Sequence, residues 1–335
     1  MKVAVVGCGG VSANHFEALG RLEDVEITAV VDIKKDRADE KAALTGAKAY
    51  YDFDEMLENE KPDCIHIATP HYLHTRMAVK ALRAGINVFL EKPCSVSFAE
   101  TEELAKAQRE SGRQLGICFQ NRYNNCVKLA KEIIGSREYG RVRAARAFIT
   151  WDRGVDYYSD DWHGRADKEC GGVLINQAIH TVDLVQYLCG ECRAVTAHVF
   201  NDRLKGIIEV EDTAALRMEL EDGVTAMLYA TNAFSMNSPV FIEITLENAV
   251  LRIEGERLFR CAHGDEFEMI CDKSGKEFAG KDYWGHGHNA IIKDFYDCLK
   301  TGREFTIDAI EGAKAAKIVL SSYVSSEKNE RVEVN

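Results

Sequence analysis

Apolar residues in the first third of the chain fall into short runs, separated by stretches in which they recur at helical spacing. The runs Lys2–Val6, Val25–Asp32, Lys48–Tyr51, Cys64–Thr69, Asn87–Leu90 and Leu115–Phe119 predict buried strands. Stretches between them, such as Thr75–Ala84 and Phe98–Gln108, predict amphipathic helices, the second opened by a capping box of Ser97 with Glu100. Alternation of this kind builds an α/β domain with a doubly wound parallel sheet. Beyond Arg122 the pattern changes. Asn124–Ile134 predicts a helix that Gly135 ends, and strands dominate after it. Leu216–Leu220 and Thr225–Tyr229 flank Asp222-Gly223, a strong hairpin signal. Phe241–Leu246 and Val250–Ile253 flank Glu247-Asn248 in a similar manner, and helices return at His288–Lys300 and Ala309–Ser322. The expected organisation is a parallel-sheet domain over 1–121, followed by an α+β domain with a largely antiparallel open sheet over 122–335.

The first strand breaks at Gly7, Gly9 and Gly10, and a helix pattern starts near Ser12. Strand, glycine turn and helix N-terminus together make the arrangement that receives a pyrophosphate. Gly7 permits the tight turn, Gly9 and Gly10 keep the backbone approachable, and the helix end at Val11 and Ser12 supplies unpaired N–H groups. Ser12, followed by Ala13, stands where the dinucleotide fingerprint has its third glycine. The second run ends in Asp32, about 20 residues on, where a carboxylate binds a ribose 2′-hydroxyl and repels a 2′-phosphate. NAD is therefore the expected cofactor. Lys34 and Lys35 soften that preference and leave NADP as the second choice. The ligand edge of such a sheet lies at the carboxyl ends of its strands. Gly7–Ser12, Asp32, Thr69-Pro70-His71 and Glu91-Lys92-Pro93 are expected to gather there, with His71 and His74 lining the nucleotide groove.

Composition narrows the reading. The chain has 335 residues, of which 46% are hydrophobic and 29% charged, as in a globular protein with a sizeable core. A net charge of −12 argues against a nucleic-acid surface and favours a small-molecule substrate. No apolar run reaches the roughly 18 residues needed to cross a bilayer, and the sequence opens directly on a core strand, so a cytoplasmic location is expected. There are eleven cysteines, several of them in apolar runs (Cys64, Cys118, Cys298), where a reduced thiol behaves as a small hydrophobe. Cys189-Gly-Glu-Cys192 is the only C-x-x-C pair; it lacks the second pair or histidines of a zinc site. The H-x-x-H of His71 and His74, and the His286, His288 tract after Trp284, are also read as non-metal. No metal is expected.

The residues Gly7-Cys8-Gly9 with His15, Ala68-Thr69-Pro70 with His74, Glu91-Lys92-Pro93, and Gly171-Gly172-Val173-Leu174-Ile175-Asn176-Gln177-Ala178-Ile179-His180-Thr181-Val182-Asp183 follow a common plan. In these motifs the chain resembles the glucose–fructose oxidoreductase/inositol dehydrogenase/MocA family along nearly its whole length. The resemblance implies an N-terminal Rossmann domain. It also implies a C-terminal domain whose open sheet face supports homodimers or homotetramers.

Hydride transfer between an alcohol and a ketone needs a nicotinamide, a group to take the hydroxyl proton and a donor to polarise the oxygen. Lys92 follows an apolar strand at the ligand edge; Glu91 and Lys92 belong to the nucleotide side as well. His180 lies in a predicted helix, Leu174–Leu188, with Asn176 and Asp183 on the same face at i,i+4 and i,i+3 spacing. Histidine can accept the alcohol proton near neutral pH. The inositol-dehydrogenase pattern has aspartate where this chain has Asn176, which shifts the base role to His180. The Asn176-Gln177 pair resembles a subgroup acting on pyranosides. Asn121 and Arg122, and an aromatic loop with Tyr157, Tyr158, Trp162, His163 and Arg165, complete the expected substrate side. Trp162 and Arg165 suit the nicotinamide end of a cofactor equally well. The expected function is an NAD-dependent oxidoreductase acting on a secondary hydroxyl of a sugar, glycoside or cyclic polyol. The alternatives are an NAD-dependent glycosidase with transient oxidation and a non-catalytic sugar or nucleotide sensor.

Overall fold

Six apolar runs of the N-terminal part pair as one parallel sheet in a computed structural model that describes residues 1–272 and 287–334. Its strands are β1 (Lys2–Val6), β2 (Glu26–Val31), β3 (Lys48–Tyr50), β4 (Cys64–Ile67), β5 (Asn87–Leu90) and β6 (Leu115–Ile117), in the order β3-β2-β1-β4-β5-β6. The helices that follow the first five strands are α1 (Ser12–Gly20), α2 (Lys35–Thr45), α3 (Phe53–Asn59), α4 (His71–Arg83) and α5 (Phe98–Ser111). The order turns back on either side of β1, which is the switch point where doubly wound sheets open a ligand crevice. Ser97 caps α5 by accepting Glu100 N–H, as half of the capping box predicts, while the Glu100 carboxylate accepts Val96 N–H in place of Ser97 N–H. Helix α4 starts at His71, earlier than the periodicity indicates, because Pro70 sets its entry.

This unit comprises Met1–Phe119 together with His288–Ala313. The returning segment reaches the β6 edge, where Ile117 N–H donates to Ile307 O at 2.8 Å. Gly116 makes room for it: a methyl there would sit 2.7 Å from the Phe295 ring. A cut at 121 in sequence takes no account of this return.

The second unit comprises Gln120–Gly287 and Lys314–Asn335. Its helices include α6 (Asn125–Ser136), α7 (Ile179–Cys189), α8 (Gly287–Thr301, shared with the first unit) and α9 (Ala309–Lys328, likewise shared). Its sheet is built from β7 (Val142–Thr150), β8 (Cys192–Phe200), β9 (Thr213–Leu220), β10 (Thr225–Thr231), β11 (Phe241–Leu246), β12 (Ala249–Glu254), β13 (Arg257–Ala262), β14 (Glu268–Cys271) and β15 (Val332–Glu333). The order is β14-β13-β12-β11-β7-β10-β9-β8-β15, antiparallel throughout except for β7 with β10. Both expected hairpins form; the first takes Asp222 and Gly223 to φ 55° and 75°. One face of the sheet carries exposed Phe148, Met227 and Tyr229.

The predicted Leu174–Leu188 helix forms in two parts. Residues Leu174–Ala178 wind as a π-helix, and α7 continues from there. The start is anchored by buried Glu211, whose carboxylate accepts Gly172 N–H at 2.8 Å and Leu174 N–H at 2.9 Å. Burial raises the Glu211 pKa, against these hydrogen bonds. Arg122 and Asp183 anchor the middle: Nε donates to Oδ2 at 2.8 Å and Nη2 to Oδ1 at 2.6 Å, with side chains only 6% and 1% exposed. The guanidinium also lies 4.5 Å from the Tyr187 ring centre.

Removing one partner of a buried ion pair leaves the other charge unpaired, which costs about 3–5 kcal/mol. Arg122→Ala and Asp183→Ala are each expected to lower the thermal midpoint of the chain sharply. The paired replacement Arg122→Met with Asp183→Leu is expected to recover most of the loss. Scanning calorimetry on the four proteins checks this, and additive losses in the double variant would contradict it.

Candidate active site

The glycine turn sits where β1 meets β4. Gly7 has φ +91°, and a methyl there would lie 2.4 Å from Ala68 O, so only glycine fits the turn. Gly9 and Gly10 face open space: the nearest atom to a methyl on Gly9 would be Arg37 Nη1 at 3.9 Å, and Gly10 meets nothing within 4 Å. Val11 caps α1 without a side-chain hydrogen bond, and the first turn carries no acidic residue. Room above the backbone and a helix end without a carboxylate suit a pyrophosphate. Asp32 follows β2, half-buried, its Oδ2 accepting Cys8 N–H and its Oδ1 accepting Lys34 N–H, both at 2.8 Å. The carboxylate is thereby held at the turn with lone pairs left for a ribose. These features fit NAD. Arg37, on the first turns of α2, was not indicated by the sequence pattern; only the fold brings its guanidinium toward Gly9.

The loops after β4 and β5 are tied together by His74. Its Nδ1 lies 2.7 Å from Pro93 O and its Nε2 2.7 Å from Thr69 O. Burial lowers its pKa, so the neutral ring donates to one carbonyl at a time. His71 is buried beside it, the ring centres 5.9 Å apart. Both histidines thus shape the edge from within.

Glu91 ends β5 and is buried, while Lys92 beside it is half-buried. Glu91 Oε1 lies 3.0 Å from His15 Nε2, and Oε2 accepts Lys92 N–H at 3.2 Å. His15 Nδ1 meets His66 Nδ1 at 2.8 Å, and His66 Nε2 meets the Tyr296 hydroxyl at 3.0 Å. Burial opposes the Glu91 charge, but the hydrogen bond from His15 overcomes it and holds the carboxyl well below its ordinary range. Burial depresses His66 strongly and brings His288 down to about 4. One assignment then satisfies the row: Tyr296 donates to His66, His66 to His15, and His15 to Glu91. Glu91, Cys118 and His288 also place three donor atoms within 4.8 Å of one another. The Glu91 oxygens are already engaged without an ion. His286 and Trp284 lie outside the described residues.

In the second unit the π-turn carries Asn176 and Gln177 at its centre, both buried. Asn176 Nδ2 donates to Glu169 Oε1 at 2.5 Å and to the Tyr157 hydroxyl at 3.3 Å. Gln177 Nε2 donates to the same hydroxyl at 3.1 Å, and its Oε1 accepts from Asn232 Nδ2 at 2.9 Å. Asn232 Nδ2 also reaches the Tyr158 hydroxyl at 3.1 Å. Burial raises the pKa of both tyrosines, so their hydroxyls stay neutral while accepting from these amides. His180 follows on the first turn of α7 and is half-buried. Asp183 faces Arg122 instead, so Arg122 is committed to holding α7. Asn121 is half-buried, with its Oδ1 lacking a partner among the described residues. In the aromatic loop Asp160 accepts the Trp162 and His163 N–H groups, and the Trp162 and His163 rings lie 3.8 Å apart. Arg165 is exposed. Glu169 and Asn232 carry no sequence signal beyond being polar; their burial reveals them.

The C-x-x-C pair is buried, and burial raises the thiols of Cys189 and Cys192 to about 12, which suits packing over redox or metal chemistry.

Residues 1–119 match the model of the oxidoreductase family with an NAD-binding Rossmann fold, and residues 127–252 match the GFO/IDH/MocA C-terminal domain. The chain belongs to the GFO/IDH/MocA oxidoreductase family. Its N-terminal domain is an NAD-binding Rossmann domain. Among relatives of this family, the scyllo-inositol 2-dehydrogenase (NAD(+)) of Bacillus subtilis is 25% identical over 311 residues, 90% of this chain and 87% of that protein. The WlbA dehydrogenase of Bordetella pertussis, solved with NADH and UDP-GlcNAcA, is 27% identical with a TM-score of 0.86, covering 100% of this chain and 98% of that one. A levoglucosan dehydrogenase, solved with NADH and levoglucosan, shares the fold at 22% identity and a TM-score of 0.90, covering 100% and 99%. Among the described residues no helix is long and apolar enough to cross a membrane.

A charge-assisted hydrogen bond contributes about 1.5–3 kcal/mol, so Asp32→Ala is expected to weaken NAD binding by about tenfold or more. NADP, which gains from loss of the repulsion, is expected to lose less or to bind better. Fluorescence titration with NADH and NADPH measures both, and equal losses would remove Asp32 from the ribose.

Proposed function

We propose that the protein is an NAD-dependent dehydrogenase acting on a secondary hydroxyl of a sugar, glycoside or cyclic polyol. The observation that carries this reading is the end of β5. Glu91 turns inward to His15 and to the Lys92 backbone, and Lys92 stands half-buried at the carboxyl end of a Rossmann strand. Lys92 hydrogen-bonds the reacting oxygen and polarises it. His180 takes the hydroxyl proton during oxidation and returns it during reduction, since the carboxamide of Asn176 cannot carry one. Bound NAD supplies the hydride acceptor. Asn176 and Gln177, together with Trp162, Arg165, Tyr158 and Asn121, make up the proposed substrate side, while Arg122 serves it by holding α7 through Asp183. Relatives whose names specify inositol or levoglucosan as substrate support this class of substrate. A homo-oligomer formed through the open sheet face, and a cytoplasmic location, belong to the same proposal.

Purified protein with NAD and a panel of inositols, free sugars, sugar phosphates, nucleotide sugars and glycosides is expected to form NADH with one class. Cleaved glycoside without NADH would point to a hydrolase instead, and silence with NAD bound would point to a sensor. Loss of a proton-transfer group costs about 10²–10⁴ in rate and loss of a polarising donor about 10²–10³, so His180→Ala and Lys92→Ala are expected to reduce turnover on those scales. NADH binding is expected to persist in both. A rate near that of the parent in either variant would remove that residue from the mechanism.

A further inference from the structure

Tyr296 sits on α8, in the segment that returns to the first unit after most of the chain. It is buried with His66 of β4, His15 of α1 and Glu91 after β5, and the four side chains join in one row. At the centre of that row His15 and His66 meet Nδ1 to Nδ1 at 2.8 Å, so one ring donates and the other accepts. A neutral imidazole carries a single N–H. Fixing the tautomer of either ring therefore fixes the other, and the row has two complete arrangements of opposite direction. In one, Tyr296 donates to His66, His66 to His15 and His15 to Glu91. In the other every bond is reversed, and the side chain at position 91 has to donate.

The two ends choose between these arrangements. Burial works against the Glu91 charge, yet the His15 hydrogen bond keeps the acid ionised, and a carboxylate only accepts. At the far end burial and the neighbouring Cys64 thiol hold Tyr296 neutral, with a proton to give. His288 Nε2 stands 3.9 Å from Glu91 Oε1, too far for a hydrogen bond, and burial brings that ring down to about 4, so it is uncharged near neutral pH. The other Glu91 oxygen, Oε2, accepts the Lys92 N–H at 3.2 Å. The row thus runs from the returning helix to the backbone of the residue proposed to polarise the substrate oxygen.

We infer that Tyr296 and His66 are positioning residues, which act through His15 to hold Glu91 as an obligate acceptor and so fix the Lys92 backbone at the site. The inference rests on the proposed role of Lys92. It gives the return of 288–313 a part in the chemistry beyond covering the β6 edge. It also assigns a role to Tyr296, which no motif marks.

The first test reads the row without turnover. Long-range ¹⁵N–¹H NMR on the histidine-labelled protein is expected to show His66 protonated on Nδ1 and His15 on Nε2. In Glu91→Gln both tautomers are expected to exchange, because the carboxamide introduced there accepts Lys92 N–H through its oxygen and donates to His15 through its nitrogen. Tyr296→Phe removes the donor that sets the direction, and a His15 lone pair then competes for the carboxylate. Hydrogen exchange at the Lys92 amide is expected to quicken in this variant. The Glu91 amide, bonded to Ile67 O at 2.9 Å, is expected to keep its rate and serves as the internal reference. The opposite tautomers in the parent, or unchanged Lys92 exchange in Tyr296→Phe, would overturn the inference.

A second test separates positioning from stability. With the panel compound that gives the fastest NADH formation, well below the thermal midpoint, Tyr296→Phe is expected to lower kcat about 3–10-fold with little change in KM, the scale of one neutral hydrogen bond. On the Glu91→Gln background the same substitution is expected to cost no further kcat, since no carboxylate is left to hold. A kcat equal to the parent's in Tyr296→Phe, or a loss that persists in full on that background, would leave Tyr296 a merely structural residue. If the parent protein oxidises no panel compound, the proposed function fails, while the tautomers and the Lys92 amide still decide what the row holds.

Discussion

Parallel pairing is the constraint on which the nucleotide unit depends. Because β1, β2, β4 and β5 all run the same way, their carboxyl ends share one edge. The chain leaves the sheet at that edge after every one of its six parallel strands, and each exit brings polar backbone and side chains with it. Close spacing there leaves no room for a Cβ at Gly7, against Ala68 O. The same crowding buries Glu91, His71 and His74 at the mouths of the strands, where each finds a defined partner or neighbour.

Two sets of buried polar groups in this protein are joined into hydrogen-bonded rows. Tyr296, His66, His15 and Glu91 form one in the first unit; Glu169, Asn176, Tyr157, Gln177, Asn232 and Tyr158 form another in the second. In each a carboxylate at the end orients the donor next to it. An ionised Glu91 accepts from His15 and so orders two imidazole tautomers; Glu169 accepts from Asn176 and so orders its amide. Low dielectric makes such rows costly to break, which is how a side chain is held to one orientation. Arg122 with Asp183, and Glu211 with the start of the π-turn, apply the same principle to backbone position.

The sequence by itself determined the parallel sheet, its glycine turn, the acidic residue after β2, the two hairpins and the family. Those features are local, because each depends on a run of side chains that buries both faces or on a turn that only certain residues can make. It also marked Lys92, Asn176 and His180 by motif. Tertiary structure alone decided what those residues touch. The expected regular helix opens as a π-turn whose start is held by Glu211, from beyond β8. The partner of Asp183 is Arg122, 61 residues away in sequence. The return of 288–313 to the first unit has no local signature either, since it depends on Gly116 and Phe295 meeting across most of the chain. Long-range burial sets such partners, and a linear pattern records only that a residue is polar or apolar, not what it will meet.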